Sequence, residues 1–292
     1  MPFTAFALII AAAFLHATWN MFAKASKDTI ALMWWATVIA TLGSGVFLLV
    51  TTGIYLDPGS YFPFLISAAA ETGYFITLVR GYSRGDLSLV YPISRGSAPI
   101  FAVLLSAALL GEKLPWFGYL GIGLMVTGAF VVSLQIDRPT MIFKRSTIVA
   151  PFRNVAAGWA LVSALFIAIF SISDKVAVSA TLPLTYNWWV FLGNTLLWMP
   201  VVWRRVPSRR SFVELRNNWR VVVATAGMMF GAYGLALVAL GLTSASYVVA
   251  GRGMSVVIGA LFGALLLKEG FGSIRVSGAV LMVVGLAMMA FS

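Results

Sequence analysis

The chain has 292 residues, 61% of them hydrophobic and only 10% charged, with a formal net charge of +11 at pH 7. Soluble domains carry roughly 45–50% apolar and about 25% charged residues, so this composition excludes a water-soluble globule and points to a chain whose solvent is lipid. With no cysteine and one histidine, disulfides, thiolate metal sites and cysteine nucleophiles are excluded and a His-based metal centre is not expected.

A membrane span takes about 20 residues, so the length accommodates about ten helices joined by short loops. In chain order the apolar runs predict spans at 3–22, 29–52, 62–80, 87–110, 116–135, 154–176, 183–203, 220–240, 245–267 and 274–291. The first lacks a basic leader and a small-residue cleavage site and is read as a retained helix. Turn residues mark the breaks at Asp57-Pro58-Gly59, Gly85-Asp86, Gly111-Glu112-Lys113, Arg138-Pro139 and Lys268-Glu269-Gly270.

The positive charge lies in the short loops, where it is a topology signal and not a nucleic-acid footprint. Sixteen of the 20 basic residues follow spans 1, 3, 5, 7 and 9, from Lys24 and Lys27 through Arg80, Arg84, Arg138, Lys144, Arg145, Arg153 and the Arg204–Arg220 cluster to Lys268 and Arg275. Only Lys113 and Lys175 fall on the opposite side. The positive-inside rule then places both termini outside the cytoplasm of a cell (inner) membrane.

Shifted by 157 residues, the two halves match: Arg95-Gly96 falls on Arg252-Gly253, Glu112 on Glu269, Gly121 on Gly278 and Gly128 on Gly285. Earlier in each half a shift of 154 fits better, setting Trp34-Trp35 on Trp188-Trp189 and Asn20 on Asp174. Five spans per unit is an odd number, so the second unit enters the membrane from the other side. The expected fold is all-α, with ten transmembrane helices in two inverted-topology repeats at residues 1–136 and 154–292 and a cytoplasmic linker at 137–153.

Leu89–Val132, Tyr247–Met288 and the opening His16-Ala17-Thr18-Trp19-Asn20 resemble the EamA family of the drug/metabolite transporter superfamily. The resemblance covers nearly the whole chain. It implies a five-plus-five inverted repeat that exports small metabolites, often amino acids. One departure is that many members carry basic residues between the second and third helices, whereas Gly53–Phe62 has none. Orientation is therefore taken from the charge count.

Polar residues inside the spans are the candidate site. Arg95 lies about 12 Å into span 4 at 1.5 Å per residue, and Arg252 holds the equivalent place in span 9. Both suit a carboxylate or phosphate, or alternatively neutralise an acid and hold the repeats together. Glu71, on one face with Tyr74 and Leu78, is a candidate proton carrier or an ion-pair partner of Arg95. Asp174 is either a partner of the same kind or solvated near a loop. His16 and Asn20 share a face of helix 1, suited to substrate or to interhelical hydrogen bonds.

Tyr91 sits one turn before Arg95, and Pro92 and Pro99 are expected to kink or unwind span 4, as Gly251 and Gly253 would bend span 9. Trp19, Tyr74, Tyr233 and Tyr247 lie deep enough to line a pocket, whereas Trp116, Trp198, Trp203 and Trp219 read as interfacial belt residues. Gly121, Gly128, Gly278 and Gly285 have the spacing of close-packed helices. Glu112-Lys113 reads as a polar surface turn.

No nucleotide-binding or nucleophile motif is present, so neither ATP drive nor a cofactor is expected. The leading expectation is a non-enzymatic secondary carrier that exports amino acids or similar metabolites by alternating access, with proton coupling through Glu71, His16 or Asp174. The alternatives are a sugar-phosphate or nucleotide-sugar exchanger and, remotely, an intramembrane enzyme.

Overall fold

The computed structural model describes residues 1–26, 28–84, 87–133, 155–266 and 273–292. The linker, Lys27, Gly85-Asp86, Arg138-Pro139 and Lys268-Glu269-Gly270 lie outside the described residues. Among the described residues every regular element is helical: α1 (Phe3–Ala25), α2 (Thr29–Val50), α3 (Tyr61–Tyr82), α4 (Leu87–Leu105) and α5 (Trp116–Ser133) in the first half. The second half holds α6 (Val155–Ala177), α7 (Pro183–Arg205), α8 (Ser208–Leu242), α9 (Ala245–Arg252), α10 (Met254–Leu266) and α11 (Ser273–Ala290).

Among the described residues seven stretches are long and apolar enough to cross a membrane: Phe3–Ala23, Thr29–Val50, Pro58–Tyr82, Ile93–Leu110, Val155–Ala177, Ser208–Leu242 and Ala245–Phe262. Trp116–Val132 and Ile274–Ala290 are shorter apolar helices. The helix α7 interrupts its apolar character with buried Thr185, Asn187 and Asn194. Leu42, Val46, Phe47, Leu104, Val280 and Val283 are exposed around the outside, as a lipid-facing surface requires.

Two features depart from expectation. The arginine-rich stretch before residue 220, read as a loop, belongs to α8, which opens after Pro207 and changes direction at Asn218 (φ −122°, ψ 23°). Arg, Glu and Leu are good helix formers, so the segment winds before it enters the apolar run. α4 continues unbroken from Leu87 to Leu105 across Pro92 and Pro99. Its departure from α geometry comes later, in a π turn at Ser106–Leu110 closed by Gly111 in the left-handed region (φ 65°). The second half does break at the expected place, Arg252-Gly253, between α9 and α10.

Two pairs of equivalent helices, α2 with α7 and α5 with α11, pack against each other in antiparallel fashion. Thr41 and Thr195, repeat mates, share a hydrogen bond of 3.0 Å between α2 and α7, and the Trp188 indole donates to the Thr41 carbonyl at 2.9 Å. Trp35 Nε1 donates to the Ser211 carbonyl at 3.0 Å, and its repeat mate Trp189 donates to the Ile54 carbonyl at 2.9 Å. Ile54 and Ser211 are themselves 157 apart, so one hydrogen bond is made twice across a two-fold axis.

The second pair on that axis is α5 with α11. A Cβ added to Gly128 would lie 2.6 Å from the Gly278 carbonyl oxygen, and one added to Gly121 would lie 2.6 Å from that of Gly285. Position 121 meets 285 while 128 meets 278, so these helices run in opposite directions. Lipid offers no hydrophobic drive for helices to associate, so close backbone approach at small residues supplies the dispersion energy. The same logic packs alanine-rich α6 along α3 and α4, and α1 along α8, α9 and α10.

Overpacking of this kind costs about 1–3 kcal/mol per site. Gly128→Leu and Gly285→Leu should each lower the thermal midpoint of the detergent-solubilised protein and broaden its elution profile. Gly43→Ala, with nothing within 4 Å of an added Cβ, should leave both unchanged or slightly improved.

Candidate functional site

A cavity of about 1240 Å³ lies between the halves. Helix α1 turns His16, Trp19 and Asn20 into it, and α3 contributes Glu71, Tyr74 and Leu78 from one face. Tyr91 and Arg95 come from α4, Asn194 and Trp198 from α7, Tyr233 from α8, Arg252 from α9 and Ser255 from α10.

The Arg95 guanidinium donates to the Tyr74 hydroxyl at 3.1 Å and lies 3.2 Å from His16 Nε2. Its carbon sits 5.4 Å from the centroid of the Tyr74 ring. Arg252 repeats the arrangement in the other half, 5.7 Å over the ring of Tyr233. Each arginine thus rests on a tyrosine from the third helix of its own repeat. Among the described residues neither arginine has a carboxylate within salt-bridge distance. Arg95 Nε, Asn194 Oδ1, Trp198 Nε1 and Ser255 Oγ are buried with no hydrogen-bond partner. Buried polar groups are otherwise almost always paired, and all four belong to residues that line the cavity.

The expected Glu71–Arg95 ion pair is absent. Glu71 instead accepts a hydrogen bond from the Asn194 amide of α7. Asp174 is not solvated: it is 1% exposed and lies behind the cavity wall. It accepts from Ser67 Oγ at 2.6 Å, from the Tyr186 hydroxyl at 3.0 Å and from the Tyr233 hydroxyl at 2.6 Å. Asn20 bonds back to the His16 carbonyl of its own helix at 2.7 Å rather than across helices. Tyr247, expected in the pocket, packs against Gly118 and shares a 2.5 Å hydrogen bond with Ser292 Oγ. Trp198, read as an interfacial residue, lines the cavity against Phe75, with ring centroids 5.3 Å apart.

The cavity continues to one end of the bundle, where Thr29, Arg80, Tyr82, Val132, Arg205 and Arg275 border it. The other end is tied shut. Ser60 Oγ donates to the Ala177 carbonyl at 3.0 Å, and Ser106 meets Ser246 at 2.8 Å. Glu112, read as part of a surface turn, reaches across the halves to accept from the backbone N–H of Ala245 at the start of α9. Lys175 Nζ donates to the Leu240 and Thr243 carbonyls. Both termini lie at this closed end, with the Met1 amine donating to the Ser292 carbonyl at 2.8 Å.

The family model for EamA-like transporters matches residues 3–134 and 154–291, one match per half. The chain belongs to the EamA-like transporter family. A solved structure described only as a crystal structure of a protein superposes with a TM-score of 0.76 at 14% identity, covering 100% of this chain and 98% of its own. At that identity it supports the fold alone. No curated protein matches.

For this EamA-like chain, lining residues that the sequence pattern did not single out include Asn194, Phe75, Phe191 and Ser255. Asn194 carried a usable signal, being an amide within an apolar run and directly before Thr195, the repeat mate of Thr41. The others do not stand out from ordinary core residues.

Since the chain has no cysteine, single cysteines report accessibility without background. Thr29→Cys and Gly259→Cys, at the open end, should react readily with a charged, water-soluble thiol reagent. Ala177→Cys, at a closed-end position that is 0% exposed, should react at least about tenfold more slowly.

Proposed function

We propose that this EamA-like protein is a secondary carrier with ten spans that exports amino acids or similar small metabolites by alternating access. The observation that carries the reading is the pair of arginines facing one cavity with no carboxylate partner among the described residues. A charge at membrane depth costs at least about 2.5 kcal/mol on permissive scales, and an anionic substrate group bound by both guanidiniums relieves that cost with charge-assisted hydrogen bonds.

Glu71 across the cavity complements a substrate ammonium, while Trp19, Phe75, Phe191 and Trp198 offer aromatic faces to its side chain. This combination favours a zwitterion over a sugar phosphate, for which Glu71 is a repulsive neighbour. His16 and Tyr91 complete the binding set, and Glu71, His16 and Asp174 are the groups placed to couple flux to protons. The open end is the one bordered by Arg80, Arg205 and Arg275. By the positive-inside rule that end is cytoplasmic, the structure is inward-open, and both termini are outside.

The test is efflux from proteoliposomes loaded with a labelled amino-acid panel, with and without a pH gradient. Selective flux is expected. Arg95→Ala should cut it by about 30-fold or more, the scale of losing a buried charge pair, while the protein stays monodisperse. Flux that persists in this variant overturns the assignment of Arg95. Flux that appears only with substrate on both sides points to obligate exchange.

A further inference from the structure

We propose that Asp174 and Lys175 form the latch that holds the closed end shut, and that Tyr233 links this latch to the substrate anion at Arg252. The proposal rests on the carrier reading and assigns the residues that make opening depend on cargo.

The argument starts from which helices move together. α6 packs along α3 and α4, and α8 packs along α1 and α2, whereas α6 and α8 touch each other only lightly. Among the described residues the bonds between α6 and α8 are few and cluster at Asp174 and Lys175. Asp174 accepts from the Tyr233 hydroxyl at 2.6 Å, and one residue later Lys175 Nζ caps the carbonyls at the end of α8, 2.9 Å from that of Thr243. The last carbonyls of a helix have no partner within it, so a cation there satisfies them and meets the negative end of the dipole.

The inverted repeat supplies an internal control. Shifts of 154 and 157 residues carry Asp174, Lys175 and Tyr233 onto Asn20, Met21 and Ile76. All three line the open cavity, and their helices α1 and α3 barely touch. The contact made on the closed side is thus unmade on the open side, and the side that makes it is the one with an acid, a cation and a phenol. In a carrier built from inverted repeats the two arrangements exchange. Opening the closed end requires α6 and α8 to part at Asp174 and Lys175.

Tyr233 connects this event to the cargo. Its hydroxyl is held by Asp174 and its ring is held by Arg252 at 5.7 Å, so one side chain lies between a cation in the cavity and an anion behind the wall. An anionic group on Arg252 forms charge-assisted hydrogen bonds stronger than the ring contact and draws the guanidinium from it. Tyr233 is then held from one side only. A ligand shifts a conformational equilibrium only by binding the two states differently, and this geometry names where the difference arises. The first half lacks the device, because the hydroxyl of Tyr74 faces Arg95 and Asn20 bonds back to its own helix.

The experiment uses two repeat-related single cysteines in the full-length protein. Ala236→Cys lies on α8 between Tyr233 and Leu240 at a position 2% exposed, and its mate Val79→Cys lies on the open side at one 41% exposed. With the latch intact, a charged thiol reagent should modify Val79→Cys and spare Ala236→Cys. Adding Lys175→Met, Asp174→Asn, Tyr233→Phe or Arg252→Ala should raise labelling at Ala236→Cys and lower it at Val79→Cys, each by about 5- to 150-fold.

A structural cluster does not produce reciprocal change. If neither probe responds, if both become reactive together, or if all four variants lose monodispersity, the latch assignment fails. Labelling needs no substrate, so the two readings separate. Reciprocal labelling without amino-acid flux retains the latch and removes the proposed cargo, and flux without reciprocal labelling does the reverse.

Discussion

Two guanidinium groups inside a lipid-embedded bundle, with no carboxylate beside either among the described residues, set the terms for this fold. Hydrocarbon cannot solvate them. The helices that carry them must therefore stand back from one another and leave a polar cavity, and the cohesion lost at the centre must come from elsewhere. It comes from the flanks, where α5 and α11 meet backbone to backbone at four glycines and where α6 and α1 bury rows of alanine. The tyrosine ring under each arginine offers partial compensation through its negative face, and the Tyr74 hydroxyl also accepts from Arg95.

The repeat explains both the order in the packing and its asymmetry. Bonds on or across the two-fold axis are made in both halves, as with Thr41 and Thr195, or Trp35 and Trp189. Other bonds are made once, among them Lys175 to the end of α8 and Ser106 to Ser246 at the closed end, and Ser26 to Glu214 near Thr29 at the open end. Each packed body mixes helices from both repeats, α3 and α4 with α6, and α1 with α8, α9 and α10. In the proposed alternating-access cycle these are the two bodies that would rock against each other.

Family membership follows from the whole chain, one match to each half, whereas the chemistry of the site follows from a few side chains. Asn194 on Glu71 and Tyr233 on Asp174 place the two acids in different surroundings. One faces the cavity, where it is open to a ligand. The other is withdrawn behind the wall, satisfied by three hydroxyl donors.

Much of this was legible in the residues. Lipid exposure is a matter of local transfer free energy, so apolar runs locate helices without knowledge of the fold. The Arg-Gly and glycine anchors, costly or small residues at matched spacing, reveal the repeat, and the odd number of predicted spans in each unit implies its inversion. Arg95, Arg252, Glu71, Tyr74, Tyr91, His16 and Trp19 stand out in the sequence because polar or large aromatic groups are rare at that depth, and all of them line the cavity. Partnership was not legible. Glu71 meets Asn194, 123 residues away, Tyr247 turns toward the C-terminus and Trp198 turns inward, because which face a residue presents depends on the rotation and depth of two helices at once. Which end of the bundle stands open depends on the same relative positions. The chain's own chemistry determined where it enters the membrane and what it must keep wet, and only the tertiary structure decided which groups meet there, since contacts across helices are set by packing and not by spacing along the chain.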